Sequence, residues 1–208
     1  MNSPIKPSSS PTLATEVKAG RRRFLGAGSA IAPVILTMVS QPALGVTCFT
    51  PSRSLSRNTS LSQQDKYGEC VGAQSPGNYS QQTDSGSPAY SWPIDHRTPF
   101  HPTFAVGNRV GTRFYKTVNN VTVPMTMFEV LNLGGNQDLE KMAFHLIGAY
   151  LNCLGGSGAS ISPLAMTPQG ILNIWQEWAT KGYYEVTAGV RWYATDIKNY
   201  LFSNGIVG

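Results

Sequence analysis

Three histidines and three cysteines are the side chains best suited to chemistry in this chain of 208 residues. Asp95, His96 and His101 share one proline-bounded stretch, Trp92 to Pro102. Two imidazoles and a carboxylate can hold a metal ion, or one imidazole can act as a general base near neutral pH. Loops often carry such groups. The spacing of His96 and His101 in a loop fixes no geometry, however, and no third ligand stands at a defined interval as in H-E-x-x-H. Loop hydrogen bonding is the plainer reading of both, and catalysis by Asp95, His96 and His101 is the alternative. His145 sits beside Phe144 in an apolar helical stretch and reads as a packed residue. There is no G-x-S-x-G turn for a nucleophile. Gly155, Gly156 and Gly158 lack the Lys-Ser/Thr ending of a phosphate loop, and no strand precedes them. No residue is assigned a leading catalytic role, and no metal site or cofactor is expected.

Cys48, Cys70 and Cys153 form no C-x-x-C motif, which argues against zinc, iron–sulfur and c-type haem sites. In an oxidising compartment two of them can bridge. Cys48–Cys70 would close a loop of about 22 residues and stabilise by roughly 3 kcal/mol in the chain-entropy account. Cys70–Cys153 is the rival pairing. In the first case Cys153 stays a buried thiol on a helix.

The elements that must position these residues begin only after an export signal. Arg21, Arg22 and Arg23 precede Phe24 and Leu25, an R-R-x-F-L pattern of the twin-arginine type. A mildly apolar run to Val39 follows, and Ala43-Leu44-Gly45 places small residues, Ala43 and Gly45, where a signal peptidase reads them. An ordinary secretory signal and a retained membrane anchor are the other readings; the run's Gly, Pro, Ser and Thr weaken it as a membrane span. Gly45-Val46-Thr47 is a poor lipidation box for Cys48. Residues 1–45 are thus expected to be the export signal, and 46–208 a single mature domain in the periplasm, on the cell surface or outside the cell.

Removing that segment changes the charge. The chain has 16 basic and 11 acidic residues, net +5; five of the basic and one of the acidic lie in residues 1–45, which leaves 11 and 10, net +1. Nucleic-acid binding needs clustered cations to displace counterions from phosphates, so it is disfavoured. Membrane contact is expected only through the signal segment, if uncleaved.

Residues 46–123 read as a loop-rich layer. Prolines 51, 76, 88, 93, 99 and 102 forbid a long helix. Yet Tyr67, Tyr79, Tyr90, Trp92, Phe100, Phe104, Phe114 and Tyr115 are too many aromatics for a disordered tail, so the layer should pack its rings onto helices. Pro51 to Gln64 is Ser-rich. Asn108 to Val123 can hold a hairpin about Asn119-Asn120. Residues 124–208 read as about four helices: Met125 to Leu133, ended by Gly134-Gly135; Asn136 to Leu154, capped by Asn136; Thr167 to Lys181, with a cap, an N1 proline and Gly182 as stop; and Arg191 to Ser203. The second is apolar nearly all round, as a central buried helix would be. The fold class expected is mainly α: a small helical core packed by a loop-rich, aromatic-containing N-terminal layer, with room for one short hairpin.

Ser75-Pro76-Gly77, Trp92-Pro93, Phe104-Ala105-Val106-Gly107 and Ile147-Gly148-Ala149-Tyr150-Leu151-Asn152-Cys153 occur in that order. With Gly182-Tyr183-Tyr184-Glu185 and Ala188-Gly189-Val190-Arg191-Trp192-Tyr193, they resemble a group of secreted bacterial proteins of unknown function. That group carries S-P-G-[YF]-W-K-x-H, then W-P, then an L-L-N helix. The resemblance spans Cys70 to Leu201 and implies a fold and a compartment, not a reaction. Its W-K-x-H falls on Tyr79, Ser80, Gln81 and Gln82, so the motif histidine is absent here.

With an export signal, many ordered aromatics and no catalytic constellation, the expected role is non-catalytic. The chain would bind or assemble with another surface or envelope component, after its signal has engaged the export machinery. Tyr183 and Tyr184, just past a helix end, are the candidate contact residues. The alternative is a small extracytoplasmic enzyme, metal-assisted, using Asp95, His96 and His101.

Overall fold

The computed structural model describes residues 46–55, 68–134 and 136–208. The expected signal, from Arg21, Arg22, Arg23, Phe24 and Leu25 to Ala43 and Gly45, lies outside the described residues, as do most of the Ser-rich stretch, Tyr67 and Gly135. In chain order the elements are β1 (Val46–Cys48), α1 (Pro51–Ser54), β2 (Gly68–Val71), α2 (Pro76–Ser80) and α3 (Phe100–Thr103). There follow β3 (Tyr115–Val118), β4 (Val121–Pro124), α4 (Met127–Leu131), α5 (Met142–Cys153), β5 (Ser160–Ile161), α6 (Pro168–Lys181), β6 (Tyr184–Thr187), β7 (Val190–Trp192) and α7 (Ala194–Ser203).

The expectation of a mainly α fold is corrected. Among the described residues seven helices account for 40% and strands for 18%, in three small antiparallel sheets, so the fold is mixed α/β. The strands were hidden by their length. β1, β2 and β5 have three, four and two residues, too few for an apolar alternation to register. They nonetheless form a sheet in the order β1-β2-β5, which joins the N-terminal layer to the segment after α5. β6 and β7 form the second sheet, a hairpin in a stretch expected to be the connection after one helix and, from Arg191, the start of the next. β3 and β4 form the third, around Asn119 and Asn120, both at positive φ, the left-handed conformation that asparagine tolerates in tight hairpin turns.

Helix α5 lies at the centre because its apolar residues leave it no solvent face wide enough. Leu146, Ile147 and Leu151 are fully buried, among Trp175 and Trp178 of α6 and Ile197 and Leu201 of α7. Phe144 and Tyr150 are half-buried, and Leu154, just past the helix, is exposed. Rings from the loop-rich layer complete the core: Phe100 stacks on Phe104 at 4.7 Å and meets the edge of Trp175 at 5.1 Å.

The start of α5 differs from the expected cap at Asn136. Glu140 and Lys141 take positive φ, so the preceding turn cannot be α-helical. Asp138 supplies the cap instead, its carboxylate accepting from the amides of Ala143 (3.0 Å) and Phe144 (2.8 Å). An anion reaching two free N–H groups at the positive end of a helix satisfies both the hydrogen bonds and the dipole. Helix α6 begins at its Thr167 cap, whose hydroxyl accepts from Gly170 N at 3.0 Å. It ends at Gly182, φ 86°, where a side chain would be strained. Helix α7 starts at Ala194, because Arg191 and Trp192 are taken up by β7.

Candidate functional site

The three candidates for chemistry near Trp92 to Pro102 face different surroundings. His101 is 3% exposed. Its Nδ1–H donates to the Phe104 carbonyl, its ring stacks on Tyr115 at 5.3 Å, and Nε2 has no hydrogen-bond partner. Burial pushes its pKa below the usual histidine value, against the opposing pull of the Phe104 bond. His96 lies at the surface with its ring edge on Phe128 at 5.7 Å. Its Nδ1 is 3.6 Å from the exposed Asp95 carboxylate, which also accepts from Arg97 N at 2.9 Å. His145 lies between Phe144 and Phe202, each at 5.3 Å, and its buried Nδ1 has no partner. Among the described residues no three His, Cys, Asp or Glu side chains are grouped to hold a metal ion. Asp95 and His96 form a surface pair, and His101 belongs to the core.

Of the two pairings left open by the sequence, the disulfide joins Cys48 to Cys70, with S–S 2.08 Å. Both sulfurs are buried, and the bridge ties β1 to β2. Cys153 is free. Its Sγ is 4.0 Å from the Met166 carbonyl, and burial pushes its pKa up to about 12, so the thiolate needed for reactivity is scarce at neutral pH.

Several residues of the Ser75-Pro76-Gly77 and Ile147 to Cys153 segments converge on the C-terminal half of α5. Ser75 caps α2, its hydroxyl accepting from Asn78 N at 3.3 Å. Pro76 packs so closely on α5 that a Cβ at Gly148 would stand 2.6 Å from the proline ring. Asn152, fully buried, accepts from Tyr79 OH (2.8 Å) and Gln74 N (3.1 Å). Its amide donates to the carbonyls of Gln74 (2.8 Å) and Ile206 (2.9 Å). Trp92 donates to the Tyr79 carbonyl at 3.3 Å and sets its ring edge-on to Tyr79. Ala105 accepts from the Trp175 indole at 2.8 Å. These positions hold the layers together. Gln82 is exposed and paired with Pro88 in an isolated bridge.

The hairpin β6–β7 separates the two candidate tyrosines. Tyr184 points inward, 6.5 Å from Trp192. It lines a cavity of about 210 Å³ with Thr50, Pro51, Ala165, Met166 and Ile174. Burial, and then the Glu177 charge, raises its phenol pKa. Tyr183 lies on the other side, with the Arg191 guanidinium 4.5 Å from its ring centroid and Tyr193 edge-on at 6.3 Å. Tyr193 is 55% exposed. Glu185, opposite Arg191 in the ladder, accepts instead from Gly189 N at 3.0 Å. Glu177 takes the Lys181 ammonium and Glu185 N, both at 3.2 Å. Among the described residues no carboxylate lies within ion-pair distance of Arg191. Arg191 and Tyr193 were absent from the sequence-based candidates. The alternation Tyr184-Glu185-Val186-Thr187 before Ala188-Gly189 was the signal for this hairpin, and it puts Tyr183, Arg191 and Tyr193 on one face.

The described residues form a small mixed α/β domain with one disulfide and an exposed Arg–Tyr face on the β6–β7 hairpin. Compared with protein-family models, curated proteins and solved structures, the chain finds no match.

Proposed function

We propose that this is an exported protein of the cell envelope or surface that works by binding, or assembling with, another surface component, without catalysing a reaction. The observation that carries the reading is the outer face of β6–β7, where Arg191 lies on Tyr183 beside the exposed Tyr193 and, among the described residues, has no carboxylate within ion-pair distance. Tyrosine and arginine, with tryptophan, are enriched at interface hot spots, since each combines apolar area with directional donors. The Cys48–Cys70 bridge supports the export reading, because such bonds persist in oxidising compartments. The twin-arginine-type pattern supports it independently. Among the described residues no helix is long and apolar enough to cross a membrane.

The test combines light scattering over a range of protein concentrations with co-sedimentation on isolated envelope polymers. A concentration-dependent species or bound fraction is expected, weakened at least about tenfold by Arg191→Ala with Tyr193→Ala, as for hot-spot residues. A strictly monomeric protein that binds no envelope polymer would count against the proposal, and an unaffected double variant would remove this face from it.

A further inference from the structure

Cations scattered along the sequence are gathered by the fold around the start of α5. Lys141 Nζ donates to the Leu133 carbonyl at 3.1 Å, and Lys198 Nζ, from α7, to the Glu140 carbonyl at 3.1 Å. Arg113 donates to the Asn136 carbonyl at 3.4 Å, and Arg109 pairs with the Glu140 carboxylate. Among the described residues no carboxylate lies within ion-pair distance of Arg113, Lys141 or Lys198. Asp138 is buried and caps α5. These four cations and two carboxylates leave a net charge of +2, whereas the other described residues, five cations and seven carboxylates, sum to −2. An ammonium anchored through one N–H keeps two more donors for another acceptor. The same surface has an apolar centre. Phe202 is 46% exposed, and His145 lies between its ring and that of the half-buried Phe144. Lys141 Nζ is 5.5 Å from the Phe144 ring centroid, and Lys198 stands one turn before Phe202 on α7. Both ammonium charges act on His145.

We propose that this face of the folded domain docks on a bilayer surface rich in anionic phospholipid, with Phe202 entering at headgroup level and Arg113, Lys141 and Lys198 meeting lipid phosphates. A bilayer sets phosphates directly above acyl chains; this face sets cations directly beside an exposed ring. Peripheral binding adds apolar area buried in the interface to attraction for anionic lipids, and each cation near such a surface adds its own increment. The stems of Lys141 and Lys198 are half-buried, so their heads reach the surface from an apolar base, as lysines do at a membrane boundary. Their carbonyl anchors hold the heads in place, which reduces the freedom lost on binding. A hydrophilic polyanion would answer the charge but leave Phe202 nothing to enter. Membrane contact is then not confined to the signal segment, and it uses none of Tyr183, Arg191 and Tyr193.

Full-length protein is mixed with vesicles of equal parts phosphatidylcholine and phosphatidylglycerol, and binding is read by flotation. Lys141→Gln with Lys198→Gln should weaken binding at least about tenfold. Phe202→Ala should weaken it at least about threefold, and raised salt should weaken wild type. Residues 1–45 are the same in every form, so these losses belong to the domain. Phe202→Trp reports the docked face directly: brominated acyl chains should quench the emission that this variant adds to wild type. In that background the two lysine changes should raise the lipid concentration for half-quenching at least about tenfold. An unquenched Phe202→Trp overturns the proposal, whatever the signal segment contributes to flotation. So does a half-quenching concentration that the lysine changes leave where it was, or retention on soluble polyglutamate with no quenching by vesicles, which would make the partner a polyanion. Each of these results leaves the β6–β7 face to its own test.

Discussion

Asn152 has no access to water, and its carboxamide makes four hydrogen bonds, to Gln74 and Tyr79 in one stretch and to Ile206 in another. Asn152→Ala leaves the Ile206 carbonyl, the Tyr79 phenol and the Gln74 amide without partners, leaves the Gln74 carbonyl only its bond from Gly208 N, and opens a cavity. The expected cost is roughly 3–5 kcal/mol, read from urea unfolding. A loss below about 1 kcal/mol would show that the joint does not hold the layers. His145 titrates in the folded state in a way that makes stability depend on pH. Burial, then the charges of Lys198 and Lys141, lowers its pKa to about 4, against 6.5 without these effects. The unfolded chain therefore binds the proton more readily. The contribution of His145 is complete above pH 6.5 and is lost as pH falls towards 4, by up to about 3 kcal/mol. His101 acts in the same sense and Asp138, its pKa raised by burial, in the opposite one. The His145 share is thus the difference between wild type and His145→Gln. The variant should lose less stability between pH 7 and pH 4.5, and identical losses would exclude His145 as the source.

At the scale of elements, α5 carries the sharpest expectation. Leu146 is fully buried, so Leu146→Ala should cost roughly 2–5 kcal/mol. An exposed serine such as Ser85 changed to Ala should cost under about 0.5 kcal/mol. Comparison of the two unfolding midpoints checks this, and equal midpoints would mean that α5 is not the centre. Helices α5 and α6 were legible because each repeats its apolar residues over three or more turns, and α6 also has Thr167, Pro168 and Gly182 at its ends. The Asn119-Asn120 turn was legible for a similar reason: those two residues tolerate left-handed backbone. The sheet β1-β2-β5 was not, since its strands meet only through pairings distant in sequence, such as Cys70 with Ile161. At the candidate face, Tyr183 was visible as an aromatic just past a helix stop. Arg191 and Tyr193 were read as the first turn of α7, and this hid the strand that brings them to Tyr183. The convergence of the motif residues on Asn152 was equally out of reach, because no local pattern says what a buried amide will bond.

For the whole molecule, the export reading predicts a clear phenotype. The guanidinium pattern of Arg21, Arg22 and Arg23 is what a twin-arginine receptor reads, so replacing all three with Lys should leave the protein in the cytoplasm. A secretory signal would tolerate the change, because Lys keeps the segment positive. Fractionation of cells making either form decides between them, and export that survives the substitution removes the twin-arginine reading. The Asn152 joint also bears on the order in which a growing chain can fold. Its partners lie 78, 73 and 54 positions away, at Gln74, Tyr79 and Ile206. Contacts of such long sequence separation close late. While the ribosome still holds the segment around Ile206, the Asn152 amide lacks one acceptor and Ile206 and Val207 leave their places in the core empty. The nascent chain is then an incomplete domain with apolar surface open to solvent. This interval, between synthesis of α5 and release of the residues after α7, is when the protein most needs a chaperone to shield it.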